Sequence, residues 1–196
     1  MIVTITGPSG CGKSTLLRRL LHYFPDKVHA MVSCTSRPPR KREVDGVDYH
    51  FVPREAFDDR SMMIEQVEFG GNLYGLTEDV IREAQNSPDI WIAVVEAEGS
   101  LWLKEHCGAI RAYMKISPST SKYRLLFKRG WEEKEARIRH KVDIAKGLYQ
   151  HKGYDFVVRC NRKTTRQIAK QFVDGLALYT TEETALEWKG DCNNCQ

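Results

Sequence analysis

The residues best suited to chemistry lie in a glycine-rich stretch near the N-terminus, which runs Gly7-Pro8-Ser9-Gly10-Cys11-Gly12-Lys13-Ser14-Thr15. It matches the pattern G-x-x-x-x-G-K-[ST]. Glycines let the backbone turn tightly and point its N–H groups inward, where they can surround phosphate oxygens. Lys13 can reach the terminal phosphates, and the Ser14 hydroxyl can hold Mg²⁺. We therefore predict a nucleoside triphosphate site over residues 7–15, which we call the phosphate loop; a glycine turn with an exposed lysine is the alternative.

A second group of anion-binding residues follows in the segment 33–51. Ser33, Arg37, Arg40 and Tyr49 offer two guanidinium groups and two hydroxyls, a combination suited to a phosphate. The alternatives are a solvated basic loop or a nucleic-acid-binding patch over residues 40–42. Acidic residues follow this short basic run at once, and the net charge is only +4, so nucleic acid is disfavoured as a partner.

Taken together, the motifs resemble those of the guanylate kinase family from residue 2 to about 160. Besides the phosphate loop, the resemblance is carried by Ser33-Cys34-Thr35-Ser36-Arg37-Pro38-Pro39-Arg40, by Val44-Asp45-Gly46-Val47-Asp48-Tyr49-His50-Phe51-Val52, and by Glu65 with Phe69-Gly70-Gly71-Asn72-Leu73-Tyr74-Gly75. These motifs are more specific than the phosphate loop. The resemblance implies transfer of the γ-phosphoryl group of ATP to GMP or dGMP, with Mg²⁺ as the metal.

The resemblance also implies roles for the residues of the acceptor site. The acceptor's phosphate would be held by Ser33, Arg37, Arg40, Tyr49 and Tyr74. Glu65 would accept hydrogen bonds from the guanine N1–H and 2-amino groups, since one carboxylate can face two adjacent donors. Thr77 and Glu96 complete the predicted nucleoside monophosphate site, Thr77 as a substitute hydroxyl and Glu96 as an acid near the base or a metal-bound water.

The predicted catalytic residues are cationic. Phosphoryl transfer depends on aligned phosphates, excluded water and neutralised charge, and an arginine can contribute roughly 10³–10⁵ in rate. By resemblance, residues 124–145 form a mobile lid whose arginines close on the phosphates. The catalytic set is therefore Lys13, Arg37, Arg124, Arg129 and Arg139, with Arg137 and Lys141 as alternatives to Arg139.

The sequence departs from the family pattern at four places. Leu76 stands where the family has a Ser or Thr that donates to guanine O6, so Leu76→Ser is expected to improve guanine use if that donor is limiting. Val94 replaces an acid, the spacing around Arg124 is one residue longer than expected, and residues 159–161 differ from the usual asparagine segment. These departures leave open another deoxy or modified purine nucleotide as acceptor. A catalytically silent module that binds phosphorylated partners is a further alternative, disfavoured by the intact Lys13.

Periodic apolar residues predict the elements that position these groups. Strands are expected over 2–6, 89–95, 109–116 and 154–158, and helices near 13–23, 77–86, 97–106, 118–129, 132–150 and 164–178. This alternation favours a three-layer P-loop NTPase fold on a parallel sheet. We expect one guanylate kinase-like domain over 1–180, with a core at 1–32 and 77–180, an inserted lobe that binds the monophosphate at 33–76, and the helical lid.

Composition excludes several classes of protein. The 196 residues are 41% hydrophobic and 29% charged, which argues against disorder. No uninterrupted apolar run approaches 18 residues, so no membrane span is expected. The first residues lack a basic segment, so no secretory signal is predicted, and the six cysteines are expected to be reduced thiols in the cytoplasm. Residues 181–196 are expected to be a flexible extension with one short helix, and their single C-x-x-C pair is too little for a zinc site.

Overall fold

The computed structural model describes residues 1–41, 43–59, 63–128 and 130–180. In chain order, its strands are β1 (Ile2–Thr6), β2 (Val28–Met31), β3 (Cys34–Thr35), β4 (His50–Phe51), β5 (Met63–Phe69), β6 (Asn72–Thr77), β7 (Ile90–Val94), β8 (Ile110–Lys115) and β9 (Phe156–Arg159). Its α-helices are α1 (Lys13–Tyr23), α2 (Glu78–Asn86), α3 (Ala97–Cys107), α4 (Pro118–Tyr123), α5 (Glu133–Ala145) and α6 (Thr165–Leu176).

Five strands form the main sheet, in the order β2-β7-β1-β8-β9. β2 runs parallel to β7 and β8 runs parallel to β9. All five residues of β1 are buried, which is typical of a parallel strand that is covered on both faces. The four predicted strands are confirmed as β1, β7, β8 and β9. β2 was not predicted because its four residues include His29 and Ala30 and form no apolar run.

A second sheet occupies the segment expected as an inserted lobe. Its strand order is β4-β3-β6-β5, and β5 and β6 form an antiparallel hairpin. The hairpin turns at Gly70 and Gly71, which both have positive φ. A small apolar cluster of Cys34, Phe57 and Met63 supports this sheet.

The helices agree with the predicted positions but differ at two ends. α5 ends at Ala145 instead of 150, where Gly147 adopts a φ of +63° and the Leu148 N–H bonds to the Asp143 carbonyl. The helix predicted over 118–129 is divided into α4 and a π-helix over Arg124–Lys128. A π turn closes on residue i+5 and holds one more residue than an α turn. The π-helix lies in the segment where the sequence shows the longer spacing around Arg124.

The chain divides into two compact units. The first contains Met1–Thr4 and Lys27–Ile110, and the second contains Ile5–Asp26 and the described part of Arg111–Gln196. The phosphate loop and α5 belong to the second unit, whereas the predicted acceptor residues belong to the first.

Candidate functional site

The phosphate loop connects β1 to α1 in a backbone shape that requires glycine. Gly7 has a φ of +152°, and a Cβ atom there would lie 2.6 Å from the Met114 carbonyl oxygen. Gly12 precedes α1 with a φ of +106°. The Lys13 Nζ donates to the Gly7 carbonyl at 2.5 Å, which folds the lysine back across the loop. Ser14 is the second residue of α1 and is partly exposed, at the N-terminal end of the helix, which favours an anion.

Side chains from three other segments hold this loop. The Ser121 hydroxyl of α4 donates to the Ser9 carbonyl at 2.7 Å. The Asp143 carboxylate of α5 accepts from the Ser9 N–H at 2.8 Å, and the Arg139 Nε donates to the Ser9 hydroxyl at 2.7 Å. Arg124 donates to the carbonyl of Cys11 at 3.0 Å and to that of Cys160 at 2.8 Å. Arg124 and Arg139 therefore both lie against the phosphate loop.

A cavity of about 380 Å³ opens beside the loop. Its size lies within the range of small-molecule sites. The residues lining it are Gly10, Cys11, Gly12, Thr15, Leu16, Arg124, Lys128, Lys163, Thr165 and Ile168. Sequence reasoning missed Lys128, Lys163 and Thr165, since isolated residues in helices and turns give no pattern. Asp143 was also missed, although its i,i+4 spacing from Arg139 was a usable signal.

Arg37 is at the centre of the predicted acceptor site, and only 10% of its side chain is exposed. Its guanidinium lies 5.5 Å from the centre of the Tyr49 ring, and Tyr49 packs edge-to-face against Tyr74 at 5.9 Å. We call Arg37, Tyr49 and Tyr74 the acceptor cradle. The two oxygens of Glu43 accept from Arg37 Nη2 at 3.1 and 2.9 Å, and Glu43 also accepts from the Arg40 N–H at 2.8 Å.

The cradle is partly buried, and the charge of its guanidinium is paired with the Glu43 carboxylate. Burial alone would lower the pKa of Arg37, but Glu43 and Tyr74 outweigh it and raise that pKa. Burial, with a smaller contribution from Tyr74, raises the pKa of Tyr49 to about 12, so its hydroxyl stays protonated at neutral pH. Arg37 opposes this rise and Glu96 adds to it.

Three buried polar atoms among the described residues of the first unit have no hydrogen-bond partner in the protein: the Nε of Arg37, the Nε1 of Trp91 and the Oε2 of Glu96. Buried polar atoms are nearly always paired, with protein groups or with ordered water. Arg37 and Glu96 both act on the pKa of Tyr49, so their atoms lie near the acceptor cradle, where a bound ligand would pair them. Glu96 follows β7 and precedes the first residue of α3. An anion would satisfy the arginine, and a hydroxyl or N–H group would satisfy the carboxylate.

The other predicted acceptor residues lie on neighbouring strands. Ser33 is 6% exposed, next to β3, and its carbonyl accepts from the His50 N–H at 2.9 Å. Thr77 ends β6 and is partly exposed. The backbone of Glu65 pairs with that of Leu76 across the hairpin. Leu76 itself is fully buried in an apolar cluster with Ile2, Met31, Ile81, Trp91 and Leu103.

Some predictions fall on residues outside the structural description. Arg129 and the segment 181–196, with its C-x-x-C pair, are among them, and the side chain of Glu65 is not described either. Within the described ranges, no group of three or more His, Cys, Asp or Glu side chains could hold a metal ion. Mg²⁺ is commonly bound by one or two protein oxygens together with substrate phosphates. The Ser14 hydroxyl at the start of α1 fits such a donor set.

Known proteins provide the comparison. The family model for guanylate kinase matches residues 1–174. A guanylate kinase from Desulfitobacterium hafniense is 32% identical over 162 residues, covering 81% of this chain and 80% of its own. A guanylate kinase from Synechococcus elongatus is 35% identical over 144 residues, covering 72% of each chain.

Solved structures agree on the fold. The crystal structure of guanylate kinase from Anaplasma phagocytophilum has a TM-score of 0.66 at 22% identity, covering 92% of this chain and 87% of that one. A shikimate kinase from Acinetobacter baumannii has a TM-score of 0.51 at 14% identity, covering 92% and 95%. Both support the predicted P-loop kinase fold.

No helix within the described residues is both long and apolar enough to span a bilayer.

The family match, the identities to curated guanylate kinases and the P-loop kinase fold lead to one conclusion. This chain belongs to the guanylate kinase family and is an ATP-dependent phosphotransferase of the nucleoside monophosphate kinase type.

Proposed function

We propose that this enzyme transfers the γ-phosphoryl group of ATP to GMP or dGMP. The observation that carries the proposal is the acceptor cradle, with the unpaired Nε of Arg37 inside it and the unpaired Oε2 of Glu96 close enough to act on Tyr49. A nucleoside monophosphate has phosphate oxygens for the arginine and hydroxyl or N–H donors for the carboxylate. One ligand of this class would therefore satisfy both atoms.

The donor side is assigned to the phosphate loop, residues 7–15. Backbone N–H groups of the loop would surround the phosphates of ATP, and Lys13 would release the Gly7 carbonyl to reach the terminal phosphates. The Ser14 hydroxyl would hold Mg²⁺, which when bound neutralises the charge of the phosphate oxygens. The cavity beside the loop has room for the rest of the donor nucleotide.

The acceptor side is assigned to residues of the first unit. The phosphate would bind Ser33, Arg40 and the acceptor cradle of Arg37, Tyr49 and Tyr74. Because the Tyr49 pKa is raised to about 12, its hydroxyl is a permanent hydrogen-bond donor at neutral pH. Glu65 would select guanine through the N1–H and 2-amino groups, while Thr77 and Glu96 would complete the nucleoside contacts.

Catalysis is assigned to Lys13, Arg37, Arg124, Arg129 and Arg139. These cations would neutralise the charge spread over the transferring group. We propose a core at 1–32 and 77–180, a monophosphate-binding lobe at 33–76 and a lid at 124–145. Cytoplasmic location stays a prediction, supported by Cys11, Cys34, Cys107 and Cys160, none of which forms a disulfide.

A coupled assay of ADP release tests the function directly. With ATP, Mg²⁺ and a panel of nucleoside monophosphates, we expect turnover with GMP and dGMP and almost none with pyrimidine nucleotides. Equal rates across the panel would contradict the role of Glu65, and a preference for another purine would establish the alternative acceptor. No turnover with any nucleotide would favour a silent binding module.

The variant Lys13→Ala separates turnover from binding. It should abolish ADP release while GMP binding, measured by calorimetry, and the circular dichroism spectrum stay as in the wild type. Activity that survives in this variant would show that the triphosphate binds elsewhere.

A further inference from the structure

A fully buried carboxylate on α5 is bonded to the phosphate loop and has no part in the function proposed so far. The side chain of Asp143 has 0% exposure. Its Oδ2 accepts from the Ser9 N–H at 2.8 Å, and its Oδ1 accepts from the Ser9 hydroxyl at 3.2 Å. The Arg139 Nε lies 3.7 Å from the same Oδ1 and donates to the Ser9 hydroxyl.

The donors and acceptors among Ser9, Arg139 and Asp143 match one another. The Ser9 hydroxyl gives its only proton to Asp143 and uses a lone pair to accept from Arg139. Arg139 and Asp143 are four residues apart, which places them on one face of α5. Hydrogen bonds to a charged carboxylate are stronger than neutral ones, and a buried carboxylate without such partners would be costly.

We propose that Asp143 is a positioning residue that fixes Ser9 and Arg139 in one arrangement. Through the Ser9 N–H it holds the first turn of the phosphate loop, while Ser121 holds the carbonyl of the same residue. Through its charge it holds the guanidinium of Arg139 beside that turn. The inference rests on the proposed function, in which the loop binds the ATP phosphates and Arg139 acts on the transferring group.

The conservative variant Asp143→Asn tests the link to Arg139. An asparagine oxygen can still accept from the Ser9 N–H, but the charge is lost and the amide N–H₂ faces the donor Nε of Arg139. A misplacement of about 1 Å can cost roughly 100-fold in rate, so we expect kcat to fall roughly 10- to 100-fold with little change in the KM for ATP. Wild-type kcat in a folded Asp143→Asn protein would overturn the proposal.

The variant Asp143→Ala tests the link to the loop. It leaves the Ser9 N–H buried without an acceptor, so the loop should bind ATP about tenfold more weakly or worse. Asp174→Ala is the matched control, because it makes the same change in the exposed i,i+4 pair with Lys170 on α6. An exposed pair contributes little, so the control should stay within about twofold of the wild type.

A double mutant distinguishes positioning from a purely structural role. If Asp143 acts through Arg139, then Asp143→Asn should lower kcat no further in an Arg139→Ala background. Independent, multiplicative losses in the double mutant would overturn the inference. A lowered melting temperature with unchanged kcat would likewise assign Asp143 to stability alone.

A direct measurement of nucleotide binding distinguishes a failure of this inference from a failure of the proposed function. If the wild type fails to phosphorylate GMP, the proposed function is wrong, and calorimetry with β,γ-imido-ATP and Mg²⁺ still decides the anchoring of the loop. Asp143→Ala should then bind this analogue at least about tenfold more weakly than Asp174→Ala. Equal affinities would overturn the inference. If Asp143→Ala does not fold, the kinetics of Asp143→Asn decide it.

Discussion

Replacing Leu76 by serine should damage the fold without improving guanine recognition. By resemblance to the family, Leu76→Ser is expected to improve guanine use if the missing hydroxyl is limiting. The burial of Leu76 leads us to predict a loss of stability instead. Leu76 is 0% exposed and lies in the apolar cluster with Ile81 and Trp91, so its side chain contributes to the core of the first unit.

The expected loss of stability follows from the burial of the Leu76 side chain. Truncating a fully buried leucine costs about 2–5 kcal/mol through lost transfer free energy and the remaining cavity. A serine hydroxyl without a partner in that apolar cluster adds about 1–3 kcal/mol. The two losses add to about 3–8 kcal/mol. A central value of about 5 kcal/mol corresponds to a fall in Tm of roughly 10–20 °C for a chain of this size.

Thermal unfolding and steady-state kinetics together check this prediction. Leu76→Met keeps the volume and should cost less than about 1.5 kcal/mol, so it serves as the control. In Leu76→Ser we expect the ratio of kcat/KM for GMP to that for AMP to stay as in the wild type at a temperature where both are folded. A stable Leu76→Ser protein with a higher kcat/KM for GMP would refute the assignment of Leu76 to the core.

Three further changes test other parts of the structure. Glu43→Gln removes the charge that orients Arg37. The KM for GMP should therefore rise about tenfold, while the KM for ATP stays unchanged. A lower KM for GMP would mean that Glu43 competes with the acceptor for Arg37. Gly175→Ala should lower the free energy of unfolding in urea by about 1–3 kcal/mol, because the new Cβ would overlap the Phe156 ring. This loss should outweigh the higher helix propensity of alanine. An unchanged free energy of unfolding would contradict this packing. Burial, with Cys11 nearby, raises the pKa of the Cys160 thiol from 9.0 to about 12. The unfolded chain loses this proton first, so the thiol's stabilisation is intact below pH 9 and lost as the pH rises to about 12. Urea unfolding between pH 8 and 10.5 should therefore show a shallower decline in Cys160→Ser than in the wild type, and identical slopes would contradict it.

The amino-acid sequence by itself determined the local features. The phosphate loop, the apolar strands β1 and β7 and the amphipathic α1 are all set by short-range patterns, because backbone conformation and strand burial depend on residues close in sequence. The resemblance supplied the order of the motifs, and the family match over residues 1–174 confirmed the family.

Tertiary structure decided the environments of residues that lie close together on one strand or helix. Tyr74 and Leu76 lie two residues apart on β6, yet one joins the acceptor cradle and the other the apolar core. The sequence could not tell these environments apart, because they depend on which distant segments pack against the strand. The same holds for Asp143, whose carboxylate is bonded to Ser9, 134 residues earlier in the chain. Pairing over such a separation leaves no periodic signal, and only folding brings the two groups together.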